Sequence, residues 1–113
     1  MDKIQTTYRT HTCGELTKQD IGKQVMLSGW ISTIRDHGGI TFVDLRDHYG
    51  ITQLVLHVEP TFKLSKESVI TAKGTVIKRA EETINSKITT GEVEVEIATV
   101  EVLGKRTKSL HLK

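Results

Sequence analysis

The feature that most constrains the fold is an alternation of apolar and polar residues that recurs along the chain between short turns. Strand side chains point to opposite faces with a period of two. The segment 40–47 therefore places Thr41, Val43 and Leu45 on one face, a candidate core face. The same pattern predicts five strands, at residues 23–36, 40–47, 51–58, 69–80 and 92–104. The chain is therefore predicted to be all-β.

Irregularities within the strands favour a closed sheet. Gly29 and Gly74 stand inside predicted strands, where a glycine marks a bulge or a tight bend. The fifth strand loses its alternation near Ala98. Bent strands can close into a barrel, and the segment 60–68 can hold a short helix or turn between strands 3 and 4. This is the pattern of a five-stranded Greek-key OB-fold barrel, although SH3-like barrels and sandwiches show similar patterns.

Length and composition suit a single soluble domain. The chain has 113 residues and a formal net charge of +2, which fits nucleic-acid binding without requiring it. Cys13 is the only cysteine, so no internal disulfide is possible, and a reducing cytoplasm is the expected location. No apolar run approaches the roughly 20 residues of a membrane span, and the first residues lack a signal-peptide core. No membrane partner is therefore expected.

Most motifs of enzymatic sites are missing from the sequence. No two of the nine glycines are separated by a single residue, which excludes phosphate loops built on GxG. The five histidines show no HxxH or HExxH spacing, and one cysteine cannot build a zinc site. A nucleophile and its base cannot be judged from spacing, but no nucleophile motif is visible. We expect no catalytic residues and no metal site in this chain.

One strand face has the composition of a surface for single-stranded nucleic acid. A base stacks on an aromatic ring for roughly 1–3 kcal/mol. Amides and carboxylates read the edges of splayed bases, and cations hold phosphates. The outward face of strands 2 to 5 would carry Phe42, Asp44, Arg46, Gln53, Lys78 or Arg79, and Glu94.

Each of these residues also has an ordinary structural explanation. A bulge would shift the register and turn Phe42 into a core residue. Gln53 fits a plain solvated strand position, and Asp44 with Arg46 fits a surface ion pair of little energy. The acidic series Glu92, Glu94 and Glu96 fits a solvated face and argues against phosphate binding. The residues alone leave both interpretations open.

Five stretches carry a more specific resemblance: "HTCGEL", "GWI", "RDHGGITFVDLRDHYGITQLV", "GTV" and "TGEVEV". They resemble the N-terminal anticodon-binding domain of bacterial-type aspartyl-tRNA synthetases, over residues 11 to 103. Asparaginyl and lysyl enzymes share its outline. The resemblance implies an OB-fold that binds the anticodon stem-loop of tRNA-Asp and needs no cofactor of its own. In the family, ATP and Mg act in the catalytic domain, and the full-length enzyme is a homodimer.

The resemblance also implies roles for single residues. Phe42 matches the phenylalanine on which the middle anticodon base, uracil, stacks, and Gln53 matches the glutamine that hydrogen-bonds this base. Arg35 matches an arginine near the anticodon backbone and bases. Contacts to the outer anticodon bases fall on Arg79, Asn85 and Glu94. Asp44, Arg46 and Asp47 match a family motif that we interpret as mainly structural.

The chain departs from the family in several places. Thr33 and Ile77 stand where arginines are usual, which predicts fewer phosphate contacts. The class II motifs FRxE and GxGxGxxR are missing, so we expect no aminoacylation by this chain alone. We predict a flexible segment 1–12, the OB-fold domain 13–104 and a basic tail 105–113, the start of a truncated hinge. The chain is then a piece of a synthetase, expected to be monomeric, or a free-standing relative.

Two further functions remain open. The first is a sequence-tolerant single-strand-binding OB module, which the missing arginines disfavour because non-specific binding depends on charge. The second is a free-standing synthetase-like domain that binds another protein through a strand edge or its tail.

Overall fold

The computed structural model describes residues 9–57 and 64–105. These residues form five strands and two short 3-10 turns. The strands are β1 (Gln24–His37), β2 (Ile40–Arg46), β3 (Ile51–Leu56), β4 (Ser68–Lys78) and β5 (Val93–Lys105). They correspond to the five predicted strands, with ends that differ by at most two residues.

The strands close into a barrel in the order β1-β2-β3-β5-β4, with β4 returning to β1. All neighbours are antiparallel except β3 and β5, which run parallel. Closure removes the exposed edges that an open sheet of this size would present. The predicted all-β barrel is confirmed.

The barrel interior is filled by small and medium-sized aliphatic side chains. Val43 and Leu45 are fully buried, as the alternation of the second strand predicts. The third strand contributes Leu54 and Leu56, and the fifth Val93 and Val95. Val, Ile and Leu suit such a core because branched side chains pack well on a pleated surface. Other members of the core are Cys13, Leu16, Val25, Leu27, Ile31, Ile70, Ala72 and Val76.

The irregularity of β1 lies three residues beyond the glycine that was expected to cause it. Pairing with β2 shifts register between Ile31 and Thr33, so Ser32 is the extra residue. Gly29 stays in continuous register with β4. A Cβ there would overlap the carbonyl oxygen of Arg46, so this glycine permits a close approach of β2. The shift at Ser32 reverses the alternation of β1.

The irregularity predicted near Ala98 is confirmed. Lys73 pairs with Thr99 and Gly74 with Ile97, which leaves Ala98 as the additional residue of β5. A Cβ at Gly74 would overlap the carbonyl oxygen of Glu96. The glycine and the bulge together let β4 and β5 bend around the barrel.

The connections are only partly described. A short 3-10 turn precedes β1 at Lys18–Asp20, closed by a capping box between Thr17 and Asp20. Between β3 and β4 the structure describes 64–67, with a turn at 66–67. The remainder of that predicted helix or turn, residues 60–63, lies outside the described residues.

The predicted terminal segments are described in part. Within 1–12, predicted to be flexible, Thr10 donates its backbone N–H to the Met26 carbonyl oxygen at 2.7 Å. Lys105, predicted to begin the tail, is the last residue of β5. Residues 1–8 and 106–113 lie outside the description, and the domain boundaries stay predictions. A search of the described residues finds no helix with the length and apolarity that a membrane crossing requires.

Candidate nucleic-acid interface

Two neighbouring cross-strand rows on the outer surface of the barrel bring most of the predicted site residues together. In the first row, Thr33 pairs with Asp44, and Asp44 pairs with Gln53. Gln53 in turn lies beside Glu94, one residue before the Leu54–Val95 pair. Because the register shifts at Ser32, the side chains of Thr33 and Arg35 lie on this outer face.

The second row contains the aromatic residue. Phe42 pairs with Arg35 on one side and with Val55 on the other. Its ring is half-buried and lies outside the core cluster, since the alternation gives the core position to the next residue, Val43. The His37 ring stands edge-on to it, with 6.0 Å between ring centroids. Phe42 is therefore an outer-surface residue supported on several sides.

A continuous chain of hydrogen bonds crosses four strands, β1, β2, β3 and β5, beside this ring. Arg35 donates from Nη1 to Oδ2 of Asp44 at 2.9 Å and from Nη2 to Oδ1 at 3.2 Å. The same Nη2 donates to Oε1 of Gln53 at 2.9 Å. Nε2 of Gln53 donates to Oε1 of Glu94 at 2.7 Å. Thr33 completes the chain, because its hydroxyl donates to Asp44 and accepts from Arg35.

Within the network, Gln53 and Glu94 are shielded from solvent. Gln53 is 5% exposed and Glu94 9% exposed, although the alternation predicts both to point outward. Burial alone would raise the pKa of Asp44. Hydrogen bonds from Arg35 and Thr33 and the positive charges nearby outweigh that effect, so the pKa lies below its usual value. Asp44 is thus an ionised partner at the centre of the network.

Arg79 lies beneath this surface. It is 5% exposed, and its guanidinium donates to the carbonyl oxygens of Val93 at 3.0 Å and Thr83 at 2.7 Å. The bond to Val93 joins the two ends of the β4–β5 loop, and the bond to Thr83 holds the first part of the loop. Burial lowers the pKa of Arg79, while the charges of Glu94 and Asp44 act in the opposite direction.

Asn85 stands apart from the network, in the exposed β4–β5 loop. Its side-chain oxygen accepts from the N–H of Lys87 at 3.0 Å, and its own N–H donates to the Gly91 carbonyl oxygen at 3.0 Å. These bonds shape the loop. The structure therefore gives both Asn85 and Arg79 hydrogen bonds that shape the β4–β5 loop.

The structural interpretation of Asp47 agrees with its contacts. One carboxylate oxygen accepts from the N–H groups of Tyr49 and Gly50, and the other accepts from Cys13 N–H at 2.9 Å. Asp44 is different, because it belongs to the network. Its position on the Phe42 face was visible in the alternation, but its partners depend on strand pairing that the sequence does not reveal.

A second surface is a less suitable candidate. A shallow groove of about 400 Å³ lies on the wall formed by β1, β4 and β5. None of its described lining residues is aromatic. The described residues contain no group of three or more His, Cys, Asp or Glu side chains that could hold a metal ion.

Similarity to known proteins provides separate evidence about the family of this chain. The chain is 53% identical over 102 residues to an aspartate–tRNA ligase of Streptomyces avermitilis, covering 86% of this chain and 17% of that protein. It is 55% identical over 100 residues to an aspartate–tRNA(Asp/Asn) ligase of Paramagnetospirillum magneticum, covering 84% and 11%. The chain thus spans less than a fifth of these curated relatives.

Among solved structures, a similar fold occurs in the asparaginyl-tRNA synthetase of Pyrococcus horikoshii complexed with asparaginyl-adenylate. The identity is 29% and the TM-score 0.69, over 87% of this chain and 23% of that chain. The family called tRNA anti-codon, described as an OB-fold nucleic acid binding domain, matches residues 25–103. This chain therefore belongs to that family of OB-fold nucleic acid binding domains.

Proposed function

We propose that this chain is the anticodon-binding domain of an aspartate–tRNA ligase and binds the anticodon loop of tRNA-Asp. The observation that carries the proposal is the half-buried Phe42 ring beside the Arg35–Asp44–Gln53–Glu94 network. A ring held in place by its neighbours offers a base a stacking surface with little loss of side-chain freedom. The adjacent polar groups provide hydrogen bonds for its edge.

The roles follow from position. The middle base of the loop stacks on Phe42, and Gln53 with Arg35 hydrogen-bonds its edge. Glu94, at the far end of the network, faces an outer base. Asn85 reaches the other outer base from the β4–β5 loop, and Arg79 holds that loop in shape through its two carbonyl contacts.

The parent protein is proposed to be the ligase itself. The relatives are six to nine times longer than the stretch that they share with this chain, and their names describe the ligation of aspartate to tRNA. Activation of aspartate with ATP and Mg would then take place outside this domain. Dimerisation of the parent is part of the same proposal.

Replacing Phe42 tests the stacking role. Phe42→Ala is expected to weaken binding of a tRNA-Asp anticodon stem-loop by about 1–3 kcal/mol, the energy of one base–aromatic stack. Phe42→Leu, which keeps the apolar contact with Val55, should lose a similar amount. Tyr49→Ala is the control, because Tyr49 is 65% exposed in the β2–β3 turn. Affinities are measured by fluorescence anisotropy and folding by circular dichroism.

Two results would count against the proposal. Unchanged affinity of folded Phe42→Leu would remove the stacking role. Equal affinity of the wild type for the anticodon loop and for a loop of scrambled sequence would favour the sequence-tolerant single-strand binder instead.

A further inference from the structure

We propose that Asp44 is a positioning residue for base recognition. Through Arg35 it holds the amide of Gln53 in one orientation, and that orientation selects uracil over cytosine at the base stacked on Phe42. The inference rests on the proposed function. It gives Asp44 a role in specificity that its place in a structural motif does not suggest.

Both hydrogen bonds of Gln53 require the same amide orientation. Arg35 has only N–H donors, so the atom facing it must be the amide oxygen. Glu94, as a carboxylate, only accepts, so the atom facing it must be the amide nitrogen. A flip of the amide would break both bonds and place like groups opposite each other. The two neighbours therefore leave one orientation.

The fixed amide still has one N–H and one lone pair to offer. Uracil presents an acceptor at O4 and a donor at N3. Cytosine reverses this pair, with a donor at N4 and an acceptor at N3. An amide that could turn over would match either base. Gln53 is only 5% exposed, so it cannot turn without disrupting Arg35 and Glu94. A base held in a fixed stack on Phe42 then meets a single arrangement of donor and acceptor, which suits uracil and not cytosine.

Asp44 fixes the position of the Arg35 guanidinium. The Arg35 side chain is 41% exposed, and an unattached arginine at that exposure would sample many rotamers. The carboxylate of Asp44 instead binds both terminal nitrogens, in the two-pronged geometry that gives arginine–carboxylate pairs their directionality. Thr33, two residues before Arg35 on β1, contacts both members of the pair. Arg35 is thereby aimed at Gln53 before any RNA arrives.

The test compares stem-loops that differ only by uracil or cytosine at the middle anticodon base. The readout is the ratio of their dissociation constants, cytosine over uracil. Asp44→Asn is expected to lower this ratio about fivefold or more, the smaller end of the discrimination that a bidentate base contact gives. Asp36→Asn is the matched control. It makes the same chemical change on β1, at a carboxylate bonded to Thr41 and outside the network.

A double variant separates positioning from general damage. If Asp44 acts through Arg35, Asp44→Asn causes no further fall in the ratio once Arg35→Gln is present. An additive fall would contradict the proposal. Should Asp44→Asn fail to fold, Thr33→Val provides the second test. It removes the hydroxyl that donates to Asp44 and accepts from Arg35, and the ratio is expected to fall at least about twofold, the smaller end of the net energy of one hydrogen bond.

A readout without RNA completes the design. In the wild type, the side-chain amide protons of Gln53 are expected to exchange slowly with water, and Asp44→Asn to speed their exchange. An unchanged base ratio and an unchanged exchange rate in folded Asp44→Asn would overturn the inference. A wild type that binds both loops equally would overturn it too, yet leave the proposed function standing. A wild type that binds neither loop would remove both.

Discussion

At the scale of single residues, two nearby aspartates make different contacts. Asp47 and Asp44 stand three positions apart, at the end of one strand and within it. Asp47 closes the β2–β3 turn and ties it to Cys13. Asp44 instead faces the outer network with Arg35. Replacing each should therefore affect different properties.

Asp47→Ala is expected to destabilise the domain without altering base preference. Three backbone N–H groups would lose their acceptor, one of them on a buried residue, at a cost of about 1–3 kcal/mol. Chemical denaturation measures the loss. Asp36→Ala is the control, because that exposed carboxylate accepts one side-chain bond only. Equal stability of the two variants would contradict this role for Asp47.

The low pKa of Asp44 makes its contribution dependent on pH. Because the folded-state pKa of Asp44 lies below the ordinary 3.8, the unfolded chain binds more protons than the folded chain at pH values near and between the two pKa values. The stabilisation is complete above the unfolded value and disappears as pH falls through the folded one. The stability difference between the wild type and Asp44→Asn should be constant above about pH 5 and shrink below pH 4. Denaturation midpoints across this range measure it, and a difference that stays constant down to pH 2 would contradict it.

At the scale of elements, alternation predicts the strands well and the strand faces less well. The core positions of β2 follow it directly, as Val43 and Leu45 show. In β1 the register changes at Ser32, and no residue there signals the change. A bulge depends on how two strands pair across the sheet. A single sequence shows only the residues that often accompany a bulge, such as glycine.

Burial of the outer face is the other property that alternation misses. Gln53 and Glu94 point outward as predicted, yet both are almost fully covered. Arg35 covers Gln53 from a strand two places away in the barrel. Such coverage depends on long side chains that reach across rows, and a period of two in one strand carries no information about them.

The bulge of β5 offers a test at this scale. Gly74→Ala is expected to destabilise the barrel by about 1–3 kcal/mol, because the added methyl group would meet the Glu96 carbonyl where β4 and β5 bend. Lys73→Ala, one position earlier and exposed, is the control. Thermal or denaturant unfolding gives the comparison. Gly74→Ala as stable as Lys73→Ala would show that the backbone can shift to make room.

At the scale of the whole molecule, the barrel presents two distinct walls. The wall of β1, β2, β3 and β5 carries Phe42 and the network. The wall of β1, β4 and β5 carries the shallow groove around Met26, Lys73 and Thr99. The weak net charge of +2 distinguishes neither wall. Local chemistry therefore distinguishes the two walls, and the central claim is that RNA binds the first wall.

An NMR titration of the isotope-labelled chain with a tRNA-Asp anticodon stem-loop tests that claim most directly. The predicted result is saturable shift changes in the amide and side-chain signals of Arg35, Phe42, Gln53 and Glu94, and in the β4–β5 loop. Signals of Met26, Lys73 and Thr99 should stay in place. Shifts centred on Met26, Lys73 and Thr99, or no shifts with a stem-loop present in excess, would contradict the account.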